Sequence, residues 1–394
     1  MPQENHNIVS WADAWRIYSR PKVLGMIFFG FSAGLPYLLV FSTLTAWLTE
    51  EGVSRGAIGL FAWVGMTYSV KVIWAPIVDR AVIPLLGGVL GQRRSWIFFG
   101  QILVVVGLIA ISILGASNLP LLALVSVIVA FGSSTQDIAI DAYRIEAIEE
   151  KYQGAMSASY ILGYRIALLV AGAGALYVAS FTDWSNVYLI MAALMGIGFG
   201  AVLLAKEPLF SRQRLIQESD GVFNVQKFTF LNAVINPFKD FFSRNGTFEL
   251  LIILLISVYR LSDIVMGIMA NPFYLDMGFS KIEIANITKV FGFFMTILGA
   301  FVGGLMIIKW GVGRCLLIGA IAVAITNLFF AKLALLANPD LNWLALTVSL
   351  DNLSGGFATT AFIAYLSGLT NKAYTATQYA LFSSLMTLPG KFMS

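Results

Sequence analysis

Long apolar runs, separated by short polar segments, fill almost the whole of this chain. A helix needs about 20 predominantly apolar residues to cross about 30 Å of hydrocarbon. Runs of that kind recur at 22–48, 56–78, 95–116, 120–143, 154–180, 184–205, 247–274, 282–308, 314–337, 341–369 and 376–394. They are continuous rather than alternating, which excludes a strand-built barrel. The pattern predicts an all-α, polytopic membrane protein with eleven spans. One polar stretch is long, 206–246, and it divides six spans from five.

Composition agrees. Of 394 residues 58% are hydrophobic and 12% charged, against about 45–50% and about 25% in ordinary soluble domains. The 36 glycines suit close helix contact in lipid. Cys315 is the only cysteine and His6 the only histidine, so no disulfide within the chain, no Cys/His metal centre and no cofactor is expected. The net charge of +4 does not point to nucleic acid, because the basic residues fall mainly in short loops. Met1 to Ser19 lacks the apolar core of a cleavable signal.

Loop charges give the orientation. One side carries Arg16, Arg20 and Lys22, then Arg80, Arg93 and Arg94, then Arg144 and Lys151, six basic residues between Lys206 and Arg244, then Lys309, Arg314 and Lys372. The other side shows Arg55 and Lys281 in its loops. The amino terminus is therefore expected to be cytoplasmic. The last run contains Pro389-Gly390-Lys391 and no twelfth run follows, so a truncated or clipped carboxy terminus is expected.

Six spans, a basic loop and further spans are the layout of a major facilitator, two six-helix bundles around a central cavity, here with the last helix missing. The expected division is an N-terminal bundle at 1–205, a basic cytoplasmic linker at 206–246 and an incomplete C-terminal bundle at 247–394. An internal echo supports it. Pro76-Ile77-Val78-Asp79-Arg80 leads to Arg93-Arg94 after the second span, and Gly303-Gly304 leads to Lys309-Trp310-Gly311-Val312-Gly313-Arg314 after the eighth. The competing reading is a basic loop that serves orientation alone.

Ionisable residues inside spans are costly, and they usually face a protein interior or a water-filled path. Gln136-Asp137-Ile138-Ala139-Ile140-Asp141-Ala142-Tyr143-Arg144 puts two carboxylates one turn apart, followed by an arginine. Lys71, Arg165, Arg260, Asp263, Lys289 and Asp351 also fall within spans, with Arg165, Arg260 and Asp351 near mid-depth. Arg260 with Asp263, and Asp141 with Arg144, stand at pairing distance along one helix. The surplus of cations suits an anionic solute, and arginine matches a carboxylate with two parallel bonds. The expected binding set is Lys71, Arg165, Arg260, Lys289, Asp263, Asp351 and Gln136, with Tyr68, Tyr164 and Tyr259 among aromatics that could face sugar rings. Packing is the alternative for those aromatics, and salt bridging between bundles for Lys71, Lys289 and Asp351. Asp137 and Asp141 suit proton coupling, since a carboxylate alternating between a dry site and a cationic neighbour can load and release a proton. A static latch is the alternative, with Asp79, Arg80 and Arg144 as gate residues.

These stretches resemble the AmpG-type muropeptide permeases, a branch of the major facilitator superfamily. Similar segments are Gly34-Leu35-Pro36, Thr43-Leu44-Thr45-Ala46-Trp47-Leu48, Lys71-Val72-Ile73-Trp74-Ala75-Pro76 with Asp79-Arg80, and Arg93-Arg94-Ser95-Trp96. They continue with Gln136-Asp137 to Arg144, Tyr259-Arg260-Leu261-Ser262-Asp263 and Gln378-Tyr379-Ala380-Leu381-Phe382-Ser383-Ser384-Leu385, in order over nearly the whole chain. The resemblance implies a monomeric transporter of the bacterial inner membrane, with lipid, protons and substrate as its partners. Its implied activity is proton-driven import of N-acetylglucosaminyl-anhydro-N-acetylmuramyl peptides, feeding peptidoglycan recycling and β-lactamase induction. Drug efflux on the same fold is the alternative within transport. An intramembrane aspartyl enzyme would need its two carboxylates on converging helices, and Asp137 and Asp141 share one.

Overall fold

Hydrocarbon offers backbone groups no hydrogen-bond partners, so each apolar run must satisfy its own and folds as a helix. A computed structural model describes residues 10–211, 230–336 and 338–393. The spans are α1 (Pro21–Glu50), α2 (Arg55–Ile73), α3 (Gln92–Leu114), α4 (Leu119–Ala147), α5 (Glu150–Ala179) and α6 (Trp184–Leu204). They continue as α7 (Glu249–Asp276), α8 (Gly292–Trp310) and α9 (Val312–Ala334), then α10 (Leu341–Leu369) and α11 (Thr375–Met393). Among the described residues nine helices, α1 to α9, are long and apolar enough to cross a membrane. The two further spans expected from the sequence are also helices, and α10 is rich in Ser, Thr, Asn and Gly. The middle of the expected linker, 212–229, lies outside the described residues, and its end forms a helix, Phe230–Asn245.

Several spans are irregular. α2 alternates short α and 3-10 turns before a break at Trp74, after which Ala75–Arg80 resumes as helix. α5 holds a π turn at Val170–Gly174, and a second π turn, Ile287–Phe291, leads into α8. α7 is interrupted at Tyr259 and Arg260, between Val258 and Leu261.

Small residues set the closest crossings. α1 and α5 meet at Gly30 and Gly163; a Cβ on Gly163 would collide with the Ile27 carbonyl, and one on Gly30 with that of Tyr160. α8 and α10 cross in the same way at Gly299 and Gly356. Among the contacts between the first six spans and the last five are two reciprocal pairings, α5 with α8 and the end of the second span with α11. The fifth span of each half thus packs on the second of the other. Gly91 (φ 88°) before α3 and Gly311 (φ 80°) before α9 take the same left-handed conformation, giving the sequence echo a structural counterpart.

The described polar contacts between the halves gather at the end that carries the basic loops. Arg93 is fully buried and donates to Asp79 Oδ1 (2.8 Å), Glu146 Oε1 (2.6 Å) and the Val78 carbonyl (3.1 Å). Asp79 in turn accepts from the first turn of α11: Ala376 N (3.1 Å), Thr377 N (2.8 Å) and Thr377 Oγ1 (2.8 Å). Ser211 donates to Glu146. Glu207 accepts from the backbone N–H groups of Arg93 (2.7 Å) and Arg94 (3.2 Å), capping α3. Burial pushes the Glu207 carboxyl above its ordinary range, although those N–H groups favour the anion. Phe230–Asn245 docks on the same end, where Gln378 Nε2 donates to the Pro237 carbonyl (2.9 Å) and Asp240 Oδ2 (2.8 Å).

Removing one member of a buried ionic group strands the others, at a cost of about 3–5 kcal/mol. Arg93→Ala should therefore lower thermal stability in detergent by that amount, and neutralising Asp79 in addition should recover part of the loss; an unchanged melting curve would contradict the geometry. Gly163→Val forces two backbones apart and should exceed the about 1–3 kcal/mol of ordinary overpacking. Gly200→Ala, where an added Cβ meets nothing within 4 Å, should melt as the parent does.

Candidate functional site

A cavity of about 370 Å³ lies mainly among the last five spans. Arg165 of α5 reaches it from the first six spans; the remaining lining comes from α7, the π turn before α8, α8, α9 and α10, and includes Arg260, Asp263, Asn271, Asp351 and Asn352. Arg260 shares the cavity-facing stripe of α7 with Asp263, Gly267, Ala270, Asn271 and Tyr274, at helical spacing. Arg260 Nε lies 3.5 Å from Asp263 Oδ2 and is buried without a hydrogen bond among the described residues. Arg165 is exposed to the cavity, and its charge and that of Arg260 act on each other. Thr296 donates to Asn352 Oδ1 (3.0 Å), holding the Asn352 amide in place. The chemistry is that of a polar, mixed-charge pocket: two guanidiniums for an anionic group, two carboxylates, and amide and hydroxyl edges for neutral polar atoms.

A second cluster surrounds Asp137, inside the first six spans. Asp137 Oδ1 is buried and has no hydrogen bond among the described residues. Tyr68, Tyr160 and Tyr164 lie around it, and the charge of Lys71 acts on both Asp137 and Asp141 without a direct ion pair among the described residues. Tyr37 meets Tyr68 edge to face at 5.7 Å, and Tyr160 and Tyr164 lie 6.0 Å apart. Gln136 Nε2 donates to the Ser32 carbonyl (2.8 Å), while its Oε1 stays buried and unbonded.

Of the binding set read from sequence, Arg165, Arg260, Asp263 and Asp351 come together in the cavity. Lys71, Gln136, Tyr68 and Tyr164 do not line it; they belong to the Asp137 cluster. Tyr259 packs instead, stacked on Phe362 at 4.7 Å and donating to the Leu316 carbonyl (2.9 Å). The side chain of Lys289 lies outside the described residues. Asp141 pairs with Arg144 at 3.4 Å. Arg144 is fully buried and crosses to the other half, donating to Ser367 Oγ (2.8 Å) and sitting 5.1 Å from the Tyr379 ring centre. Arg80 lies over Tyr374 at 5.5 Å.

Sequence reasoning counted Arg93 among loop charges and missed that it anchors Asp79. The loop motif after the second span carried that signal. Glu146, Thr377 and Ser367 offered none, being one acid beside a loop and two ordinary hydroxyls.

Comparisons with known proteins agree with this architecture. Residues 81–392 match the family model of the Major Facilitator Superfamily. The chain is 36% identical over 373 residues to an "Anhydromuropeptide permease" of Escherichia coli (strain K12), covering 94% of this chain and 72% of that one. It is 35% identical over 376 residues to "Putative transporter AmpG 4" of Rickettsia felis, covering 95% and 88%. Among solved structures, the proton:xylose symporter XylE bound to 6-bromo-6-deoxy-D-glucose aligns with a TM-score of 0.64 at 14% identity, over 94% of this chain and 85% of that one. A bacterial homologue of the iron transporter ferroportin in its outward-facing state aligns with a TM-score of 0.64 at 13% identity, over 94% and 89%. The chain belongs to the Major Facilitator Superfamily and, within it, to the AmpG group of transporters.

Proposed function

We propose that this protein carries anhydromuropeptides across the bacterial inner membrane into the cytoplasm, together with protons. The observation that carries the reading is the pairing of Arg165 and Arg260, contributed from different halves, in one polar cavity. A muropeptide brings peptide carboxylates to such a pair and amide and hydroxyl groups to Asn271, Asn352 and the threonines. The relative named as an anhydromuropeptide permease supports the choice of cargo. Efflux of hydrophobic cations is a poorer fit, because two guanidiniums stand in the cavity.

In this reading the basic end is cytoplasmic, by the excess of Lys and Arg in its loops. Residues 1–205 and 247–394 are the moving bundles, and 206–246 joins them. With the Asp79–Arg93–Glu146 group engaged, the cytoplasmic end is shut and the cavity waits for cargo from the outside. Asp137 is the proton carrier. A buried carboxylate with an unbonded oxygen and a lysine nearby gains or loses its proton according to which of these dominates. Asp141 is the second candidate, held by Arg144 while the gate is closed.

Uptake of labelled anhydromuropeptide by cells or proteoliposomes tests the whole proposal. Accumulation should collapse with a protonophore, and uptake indifferent to the gradient would overturn the coupling. Asp137→Asn should abolish accumulation yet leave counterflow exchange near the parental rate; loss of both would assign Asp137 to binding or structure. Arg165→Ala should weaken cargo binding by about 10- to 100-fold, the range for a charge-assisted hydrogen bond worth about 1.5–3 kcal/mol. An unchanged affinity would remove Arg165 from the site.

A further inference from the structure

Outside the transport path, at the basic end, the ends of α1, α4 and α6 enclose a groove of about 920 Å³. That volume lies in the upper part of the about 300–1,000 Å³ range of small-molecule sites. Its walls are apolar and open: Leu24 is 44% exposed, Phe28 49%, Leu204 87% and Leu209 71%. Phe29 and Tyr143 form the floor, and the Tyr143 hydroxyl donates to the Lys206 carbonyl (3.2 Å). Arg20, Lys22, Lys206 and Lys372 stand at the rim.

The acids nearby are already engaged. Glu146 belongs to the buried Arg93 group, and Glu149 pairs with Lys151 at 2.7 Å. Lys22 donates to the Ala147 carbonyl (2.7 Å). Arg20 is held against Tyr152, its guanidinium carbon 5.1 Å from the ring centre. Arg20 and Lys206 thus place positive charge at the rim of an apolar trough. From Arg20 to Phe28 the helix rises about 12 Å, so charge and trough are stacked along the membrane normal as a lipid's headgroup and chains are.

We propose that this groove binds an anionic phospholipid, with the phosphate at Arg20 and Lys206 and an acyl chain against Leu24, Phe28 and Leu204. An anionic headgroup answers that positive charge, and an acyl chain removes exposed apolar wall from the interface. The site is independent of the cargo, since none of these residues lines the central cavity.

The full chain, purified in detergent and stripped of lipid, should be titrated with phosphatidylglycerol and phosphatidylcholine, followed by native mass spectrometry and thermal shift. Phosphatidylglycerol should bind at least about tenfold more tightly, and glycerol 3-phosphate should not compete. The double variant Arg20→Gln, Lys206→Gln should bind phosphatidylglycerol about 30-fold more weakly, the loss expected for two cations at an anionic surface. Leu24→Trp, which fills the trough and leaves the charges, should also weaken it. Equal retention of both lipids means annular contact only and overturns the proposal. So does competition by glycerol 3-phosphate, or unchanged binding in both variants when they melt as the parent does. A rise in binding on deleting 212–229 would make that segment the occupant, and it too would overturn the proposal.

Discussion

Arg93 is a guanidinium with no exposure to water, held between two carboxylates. Burying one such ion costs several kcal/mol, so it persists only where its partners are complete. Here the group carries one negative charge too many: two acids answer one base. The first turn of α11 supplies what is missing, because its N–H groups point at Asp79 and a helix start carries about half a positive charge. The acids and the base belong to the first six spans, and the compensation belongs to the last five. Pulling the halves apart at this end would leave the surplus charge dry and unpaired, so the group favours contact between them.

That constraint explains how polarity is arranged elsewhere. With one end held together by buried ions, the cavity lies away from it, and two of the irregular turns border the cavity. The break at Tyr259 and Arg260, and the π turn ahead of α8, put backbone groups out of regular helix. Such groups are tolerated at membrane depth only against protein or a water-filled space. Both segments contribute to the cavity, Arg260 from one and Thr288 from the other.

The spans could be read from sequence because lipid imposes one simple rule, a continuous apolar run of fixed length. The short-range pairs were legible for a similar reason: Asp141 with Arg144 and Arg260 with Asp263 lie three residues apart on a helix. Which charges share a space was legible only in part. Depth along a span follows from counting, but the direction a side chain takes around the helix depends on packing. Lys71 and Arg165 were both read as cations of one binding set, yet one joins Asp137 and the other the cavity. Arg260 sits at a helix break that has neither glycine nor proline at Tyr259 or Arg260 to announce it. For Arg93 the loop motif after the second span was the available signal; that its partner Asp79 meets a helix nearly 300 residues later was not legible.

The separation of Asp137 from the cavity raises the question of how one could sense the other, and α5 is the element placed to answer it. Tyr160 and Tyr164 face the Asp137 cluster, while Arg165, the next residue, reaches the cavity. The same helix packs on α1 through Gly163 and Gly30, and on α8 through Gly154 and Gly304. Contacts that close leave little room for α5 to shift without moving both neighbours. Its π turn at Val170–Gly174 follows Arg165 by just over one turn and interrupts the regular helix beyond the glycine-packed part. In the proposed function, a change of charge at Asp137 and an anion at Arg165 would act on one segment from two faces. Coupling through α5 requires no direct contact between proton and cargo; it requires only that each charge state favours a different setting of that segment against α8.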